Sequence, residues 1–408
     1  MPLGLRNIPA SSAAAAAAAA AVTAAIVFFR RRPRSSSTSF SLRSSAIMED
    51  RRPDSVLVLF VKSSPEDEIA RSIKAKKETL KLFEEGEAQG EIRVLLQSEK
   101  DSIDSPTFRA EPYMDALNTN SFGRLLIWSP RLPSTHDVVS KNFCEFPVGT
   151  ACITDFQYKG RGSDQNFTVC YFFSEKLLTC LCVCALSVQG RAKNVWESPV
   201  GCLMFSFTLQ MEDGRKVPLV QYIVSLAVTE AIKESCQAKG LPQIDVRIKW
   251  PNDLYLNGLK VGGILCTSTY SSNKFNVSAG VGLNLDNDKP TTSLNAALQE
   301  ITAVSHQLGR EDILAAFFNN FEKLFEVFLH QGFQVLEELY YRTWLHSDQK
   351  VVIEEKQEEQ VVNIVVTIKG LTSSGYLLAV DEEQRYFELH PDGNSFDFFK
   401  GLVRRKLD

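Results

Sequence analysis

Two lysines and an aspartate crowd into Lys249-Trp-Pro-Asn-Asp253 and its continuation Gly258-Leu-Lys260-Val-Gly-Gly-Ile-Leu265. Lys249 and Asp253 close an apolar strand pattern of Ile244, Val246 and Ile248, and Lys260 opens the next strand across an Asn257-Gly258 hairpin signal. Two cations and a carboxylate therefore converge at one edge of a sheet. Such an edge suits a ligand that is negative on both of its parts, for example a carboxylic acid being joined to a nucleotide phosphate. Charge builds on both groups in that reaction, so cations have to be aimed at it beforehand. An isolated Asn-Gly turn with ordinary surface charges would be a solvated hairpin, and the elements around it decide between the two readings.

Those elements belong to a chain of 408 residues, 44% apolar, enough for one large core and one small one. The formal net charge of −4 leaves no basic footprint for nucleic acid, and no Cys/His spacing matches a zinc module. Nine irregularly spaced cysteines, with Cys170, Cys180, Cys182 and Cys184 crowded together, do not read as a disulfide framework, which fits a reducing compartment. Residues 1–47 hold six arginines, many serines and alanines and no acidic residue before Glu49, the composition of an organelle transit peptide. A membrane anchor over Ala13–Phe29 is the competing reading. Poly-alanine is weakly apolar, and the run falls short of the ~20 residues a spanning helix needs, so no stable membrane insertion is expected. Met48 offers a start for a shorter, cytosolic form.

The pattern from 54 to 115 reads as a small α/β extension. Ser55–Lys62 is a strand, Ser64-Pro-Glu-Asp67 starts a helix, and Ile69, Ile73, Leu80 and Phe83 give that helix an apolar face. A mixed region over 122–346 follows, with a buried strand at Leu203–Leu209 and a core helix marked by Val220, Ile223, Val224, Ala227, Val228, Ala231 and Ile232. Strands are predicted at 244–250, 259–268 and 275–285, then two aromatic-rich helices whose phenylalanines, such as Phe317 and Phe321, read as core packing. From 349 to 408 short strands separated by turns at Gly370, Gly375 and Pro391-Asp-Gly393 predict five strands in a small barrel.

The motifs Pro133-Ser-Thr-His136, Asp155-Phe-Gln157, Gly160-Arg-Gly162, Arg191 to Trp196, Lys249-Trp-Pro-Asn-Asp253, Lys260 and Gly280-Val-Gly-Leu-Asn284 occur in that order. On them the chain resembles the biotin–protein ligases, in particular the plant holocarboxylase synthetases, over about 122–408. The resemblance implies an α+β fold: a central mixed sheet with flanking helices, like the catalytic domain of class II aminoacyl-tRNA synthetases, followed by an SH3-like C-terminal barrel. It implies that biotin and ATP, with Mg²⁺, form biotinyl-5′-AMP. The biotinyl group then passes to one lysine of a carrier domain of acetyl-CoA carboxylase or another biotin-dependent carboxylase.

By the same resemblance, Gly160, Arg161, Gly162 and Arg191 form a loop that closes over the acyl phosphate, with Arg161 and Arg191 gripping oxygens. Lys260 faces the biotin carboxylate and the developing anhydride. Ser134, Thr135, His136 and Gln157 take the ureido head, while Trp196, Lys249, Asn252, Asp253 and Asn284 line the nucleotide side. Asp253 either helps hold Mg²⁺ or receives a proton from the incoming lysine. Residue by residue, plainer readings stand beside these: Ser134 and Thr135 as a helix N-cap, Trp196 and Trp250 as core tryptophans, Asn284 as a turn residue.

Two departures from the family pattern stand out. His136 occupies a place where asparagine is common. The glycine-arginine loop is split by the 28 residues Ser163–Gly190, and removing them restores an unbroken Gly160-Arg161-Gly162-Arg191 run. The insert, with Tyr171-Phe-Phe173 and Cys180-Leu-Cys-Val-Cys184, has the texture of a translated retained intron. Metal binding by its cysteines is disfavoured, since the insert has no histidine and no standard zinc spacing. The extra loop-closure entropy costs only about 2 kcal/mol, but a catalytic group misplaced by ~1 Å can cost on the order of 100-fold. The chain is therefore expected to be weakly active or inactive, although its fold is that of a ligase. The rivals are an impaired isoform that only binds biotin or the carrier domain, and a lipoate-type acyl ligase.

Overall fold

The computed structural model describes residues 55–82, 91–102, 107–159, 168–170, 198–287, 291–302, 307–357, 360–391, 394–397 and 402–405. The transit-peptide reading of 1–47 and the residues Gly160, Arg161, Gly162, Arg191 and Trp196 lie outside them. So does the insert, apart from Thr168–Cys170.

A ten-stranded mixed sheet carries the main body. Its strands are β1 (Ser55–Val61), β2 (Ile92–Leu96), β3 (Leu125–Ser129), β4 (Ala151–Thr154), β5 (Thr168–Cys170), β6 (Cys202–Met211), β7 (Arg247–Lys249), β8 (Asp253–Leu256), β9 (Leu259–Ser271) and β10 (Lys274–Asn284). They run in the order β2-β1-β3-β4-β6-β10-β9-β8-β7, and β5 joins β9 off that path. Segment 54–115 is thus part of this sheet, because β1 pairs with β3 and carries β2 on its other side. The helix there, α1 (Ser64–Ala75), stops before Leu80, which packs beyond its end.

Alternation along β6 gives the sheet two different faces. Phe205 and Phe207 point to a core filled from α4 (Val220–Ala238) and α6 (Arg310–Gln331), with Phe205 4.9 Å from Phe317 and Phe207 4.8 Å from Phe321 between ring centroids. These phenylalanines are core, as their spacing predicts. Met204 and Ser206 point the other way, to the side of α3 (Thr135–Lys141). The remaining helices are α2 (Ala110–Ala116), α5 (Leu294–Ile301) and α7 (Glu337–Thr343).

The cation-rich edge is built differently from the sequence expectation. Lys249 and Asp253 do not end one strand. Pro251 lacks the N–H that a continuing ladder needs, so the chain turns at a cis Trp250–Pro251 peptide. Lys249 closes β7, Asp253 opens β8, and the two are cross-strand partners. The hairpin itself lies one strand later. Asn257 (φ 51°) and Gly258 (φ 78°) both have positive φ, as a two-residue type I′ turn requires.

The C-terminal part is a second sheet of six strands, β11 (Lys350–Gln357), β12 (Gln360–Leu371), β13 (Leu377–Val380), β14 (Tyr386–Leu389), β15 (Asn394–Asp397) and β16 (Leu402–Arg405). Its order is β14-β13-β12-β11-β16-β15 among the described residues, six strands where five were expected. The count rises because β11 pairs in parallel with β16 as well as antiparallel with β12.

Candidate active site

The ladders bring the chemical residues into rows. Lys249 pairs with Asp253, Asp253 with Gly263, Gly263 with Gly282, and Gly282 with Met204. One row further along, Leu265 pairs with Gly280 and Gly280 with Ser206. Glycine at three of these positions leaves the sheet surface bare, and the space above it is an open cleft. At Gly280 a Cβ would come within 3.0 Å of Ser206 Oγ and 3.3 Å of His136 Cδ2, so the glycine is what lets these side chains close in.

α3 forms the opposite wall. Ser134 is its N-cap, its hydroxyl accepting from the Asp137 amide at 3.4 Å, so the capping reading and the pocket reading of Ser134 both hold. Thr135 donates to Gln157 Oε1 from its amide (2.7 Å) and its hydroxyl (3.1 Å), and its Oγ1 lies 2.9 Å from Ser206 Oγ. Gln157 Nε2 in turn donates to Ser198 Oγ at 3.3 Å. His136 Nε2 sits 3.3 Å from the Ser278 carbonyl and 3.2 Å from Thr267 Oγ1. Ser134, Thr135, His136 and Gln157, predicted together, thus meet around one cleft. Ser206 lines it too, and Ser198 and Thr267 bond to Gln157 and His136; none of the three was predicted, since a lone serine or threonine carries no sequence signal of its own.

Gly263 connects the cleft to the charges. A Cβ there would lie 3.5 Å from Asp253 Oδ1 and 3.8 Å from Lys260 Cε. Lys260 Nζ and Asp253 Oδ1 form an ion pair at 2.6 Å, with the aspartate side chain 17% exposed and the lysine side chain 31%. Lys249 Nζ lies 5.6 Å from the centre of the Tyr255 ring. The two asparagines are engaged with backbone. Asn252 Nδ2 donates to the Ile264 carbonyl (2.9 Å), and Asn284 Nδ2 donates to Thr291 Oγ1 (3.0 Å) and the Thr292 carbonyl (3.2 Å). Thr291 Oγ1 donates to the Lys260 carbonyl at 2.7 Å, so Asn284 reaches the lysine's strand through this loop. Among the described residues no group of three or more His, Cys, Asp or Glu side chains could hold a metal ion.

A cleft lined by hydroxyls and an amide, ending in a lysine–carboxylate pair, can hold a polar head group at one end and present an acid group to a cation at the other. Around it, one further strand departs from the path: β5, the described part of the insert, pairs in parallel with β9 at Thr267–Thr269.

The profile described as the Biotin/lipoate A/B protein ligase family matches residues 172–284, and that described as the Biotin protein ligase C terminal domain matches 346–401. Biotin--protein ligase 1, chloroplastic, of Arabidopsis thaliana is 58% identical over 372 residues, which is 90% of this chain and 92% of that protein. Biotin--protein ligase 2 of the same plant is 57% identical over 354 residues, 86% of this chain and 98% of that one. A solved biotin protein ligase from Aquifex aeolicus in complex with biotin and ATP is similar at 22% identity and a TM-score of 0.43, covering 65% of this chain and 95% of that one.

Proposed function

The chain belongs to the biotin–protein ligase family, and on that premise we propose how its residues run the ligase reaction. It is an ATP-dependent biotin–protein ligase. The observation that carries the residue-level reading is the continuity of the glycine-floored cleft with the Lys260–Asp253 pair.

Ser134, Thr135, His136 and Gln157 take the ureido head of biotin, and the apolar neighbours Met204, Ile264 and Val281 take its ring and tail. The biotin carboxylate then lies toward Lys260. Its oxygen attacks the α-phosphorus of ATP, the bond to the bridging oxygen breaks, and pyrophosphate leaves. Lys260 stabilises the negative charge on both partners, a contribution that fixed charges make efficiently in a partly desolvated site. In the second step a carrier-domain lysine attacks the anhydride carbonyl, AMP leaves, and the amine's proton goes to Asp253 or water. Lys249, Asn252, Asn284 and Trp196 form the nucleotide side. Gly160, Arg161, Gly162 and Arg191 close over the acyl phosphate. In the alternative role, Asp253 would help hold Mg²⁺, which when bound would neutralise charge on the ATP phosphates. The carriers are the carrier domains of biotin-dependent carboxylases.

The arginine-rich segment 1–47 directs the chain to the chloroplast, as the name of its relative suggests, or to the mitochondrion, with Met48 starting a cytosolic form. Residues 163–190 are a retained intron that lowers turnover by separating Arg191 from Arg161. Sequencing the transcript across codons 162–191 tests this, and an exon boundary missing from both ends contradicts it.

Biotin-dependent exchange of labelled pyrophosphate into ATP tests the first step, with lipoate run alongside. Exchange with biotin alone supports the reading. Exchange with lipoate alone reassigns the acid, and exchange with neither contradicts the adenylation step.

A further inference from the structure

One buried titratable side chain has no part in the chemistry above. His346 is fully buried just after α7, where the main sheet hands over to the C-terminal one. Its Nε2 lies 3.0 Å from the Trp250 amide, and its Nδ1 lies 2.9 Å from Gln349 Oε1. An amide nitrogen can only donate, so Nε2 carries the lone pair and Nδ1 carries the proton that goes to Gln349. Gln349 is itself sewn to the second sheet, its carbonyl accepting from the Ile368 amide at 2.9 Å. A continuous line therefore runs from β12 through Gln349 and His346 to Trp250, the residue two places before Asn252.

The same tryptophan is held from its other end. Trp250 Nε1 donates to the Tyr222 hydroxyl (2.9 Å) and to the Gly375 carbonyl (3.1 Å), and the Tyr222 hydroxyl donates to that carbonyl at 2.6 Å. Gly375 has φ +86° and sits where a Cβ would be 2.8 Å from Leu219, so this turn of the second sheet is shaped to the contact. β7 is stitched to the same segment, since the Leu345 amide donates to the Ile248 carbonyl at 2.9 Å.

We infer that His346 is a positioning residue for the ligase reaction: through the Trp250 amide it fixes the Trp250–Asp253 turn, and with it the carboxylate that pairs with Lys260. Both ring nitrogens of a buried histidine have to be satisfied; what singles out His346 is that one of its partners is the backbone of the turn that leads to Asp253. The inference rests on the ligase reading, because it assigns the turn a task in adenylate formation.

Two full-length variants each keep one of the two bonds. His346→Gln can present an acceptor where Nε2 was. His346→Asn reaches only the Nδ1 position, toward Gln349, and leaves the Trp250 amide unpaired. The expected result is a fall in kcat for biotin-dependent ATP–pyrophosphate exchange in His346→Asn, up to on the order of 100-fold for a group misplaced by about 1 Å. Biotin affinity stays close to that of the unaltered chain, and His346→Gln restores most of the rate. Hydrogen exchange of the peptide covering 249–254 should speed up in His346→Asn and not in His346→Gln. Equal rates and equal exchange in the two variants overturn the inference. An unaltered chain without exchange activity contradicts the adenylation reading instead, and the hydrogen-exchange comparison then decides the positioning claim by itself.

Discussion

The floor of the cleft and its charged rim are held in place by different parts of the molecule. On the floor, Thr135, Gln157, Ser206, Ser198 and His136 bond to one another and to neighbouring strands, all within the main sheet and α3. At the rim, Asp253 follows a turn whose amide and indole are gripped by His346 and by Gly375 of the C-terminal sheet. On the proposed roles, the difference implies that binding the acid and turning it over are separable here. The floor is complete without the C-terminal sheet, whereas the rim borrows its geometry from that sheet.

The largest break in the comparison is expected at the rim. Lys260→Ala removes the cation proposed to face the acyl phosphate and leaves Asp253 without its ion-pair partner. Adenylate formation should fall by about 10²–10³-fold, the scale of losing one oxyanion-stabilising group. Pyrophosphate release measures it, and a loss under tenfold would take Lys260 out of the reaction.

Next comes pH. Burial pushes His346 down to about 4 from its ordinary 6.5, with the nearby Lys249 charge acting in the same direction and the Gln349 hydrogen bond opposing it. A depressed histidine means that the unfolded chain binds the proton more readily. Stability is therefore full above pH 6.5 and is lost as pH falls toward 4, by up to about 3 kcal/mol. Thermal melts of the unaltered chain between pH 7 and 4 should show this slope, and His346→Gln should flatten it. Parallel slopes in the two proteins would place the acid sensitivity elsewhere.

Smaller effects belong to the floor. Thr135→Ala removes the hydroxyl that joins Gln157 to Ser206, and biotin affinity should weaken about tenfold, since unpaired buried polar groups cost roughly 1–3 kcal/mol. kcat at saturating biotin should barely move, and a kcat loss matching the affinity loss would erase the division between floor and rim. Gly280→Ala forces a methyl against Ser206 and His136, and calorimetry should show biotin weakened by a few-fold, in line with the roughly 1 kcal/mol of mild overpacking.

How far the sequence could be read follows the same line. Much of the floor was legible, because Ser134-Thr-His136, Gln157 and Gly280-Val-Gly282 are local motifs whose order survives in one dimension, whereas Ser198 and Ser206 stand in no motif. Lys260 and Asp253 were legible as neighbours, and Lys260 does open its strand, but the strand assignment of Asp253 was not legible. Alternation alone runs Ile244, Val246 and Ile248 on into a longer strand, and only the Pro251 turn divides it. The bracing was hidden. His346 and Gly375 lie 96 and 125 residues from Trp250, and neither stands in a motif. β1 and β2 were read as an extension because strand pairing across the chain leaves no local trace.

The most direct test is ATP-dependent transfer of labelled biotin to a carboxylase carrier domain, comparing residues 48–408 with the same chain lacking 163–190. Covalent, ATP-dependent labelling of one carrier lysine is predicted for both, faster without the insert. No labelling by either, with a carrier that another biotin ligase labels, would contradict the account.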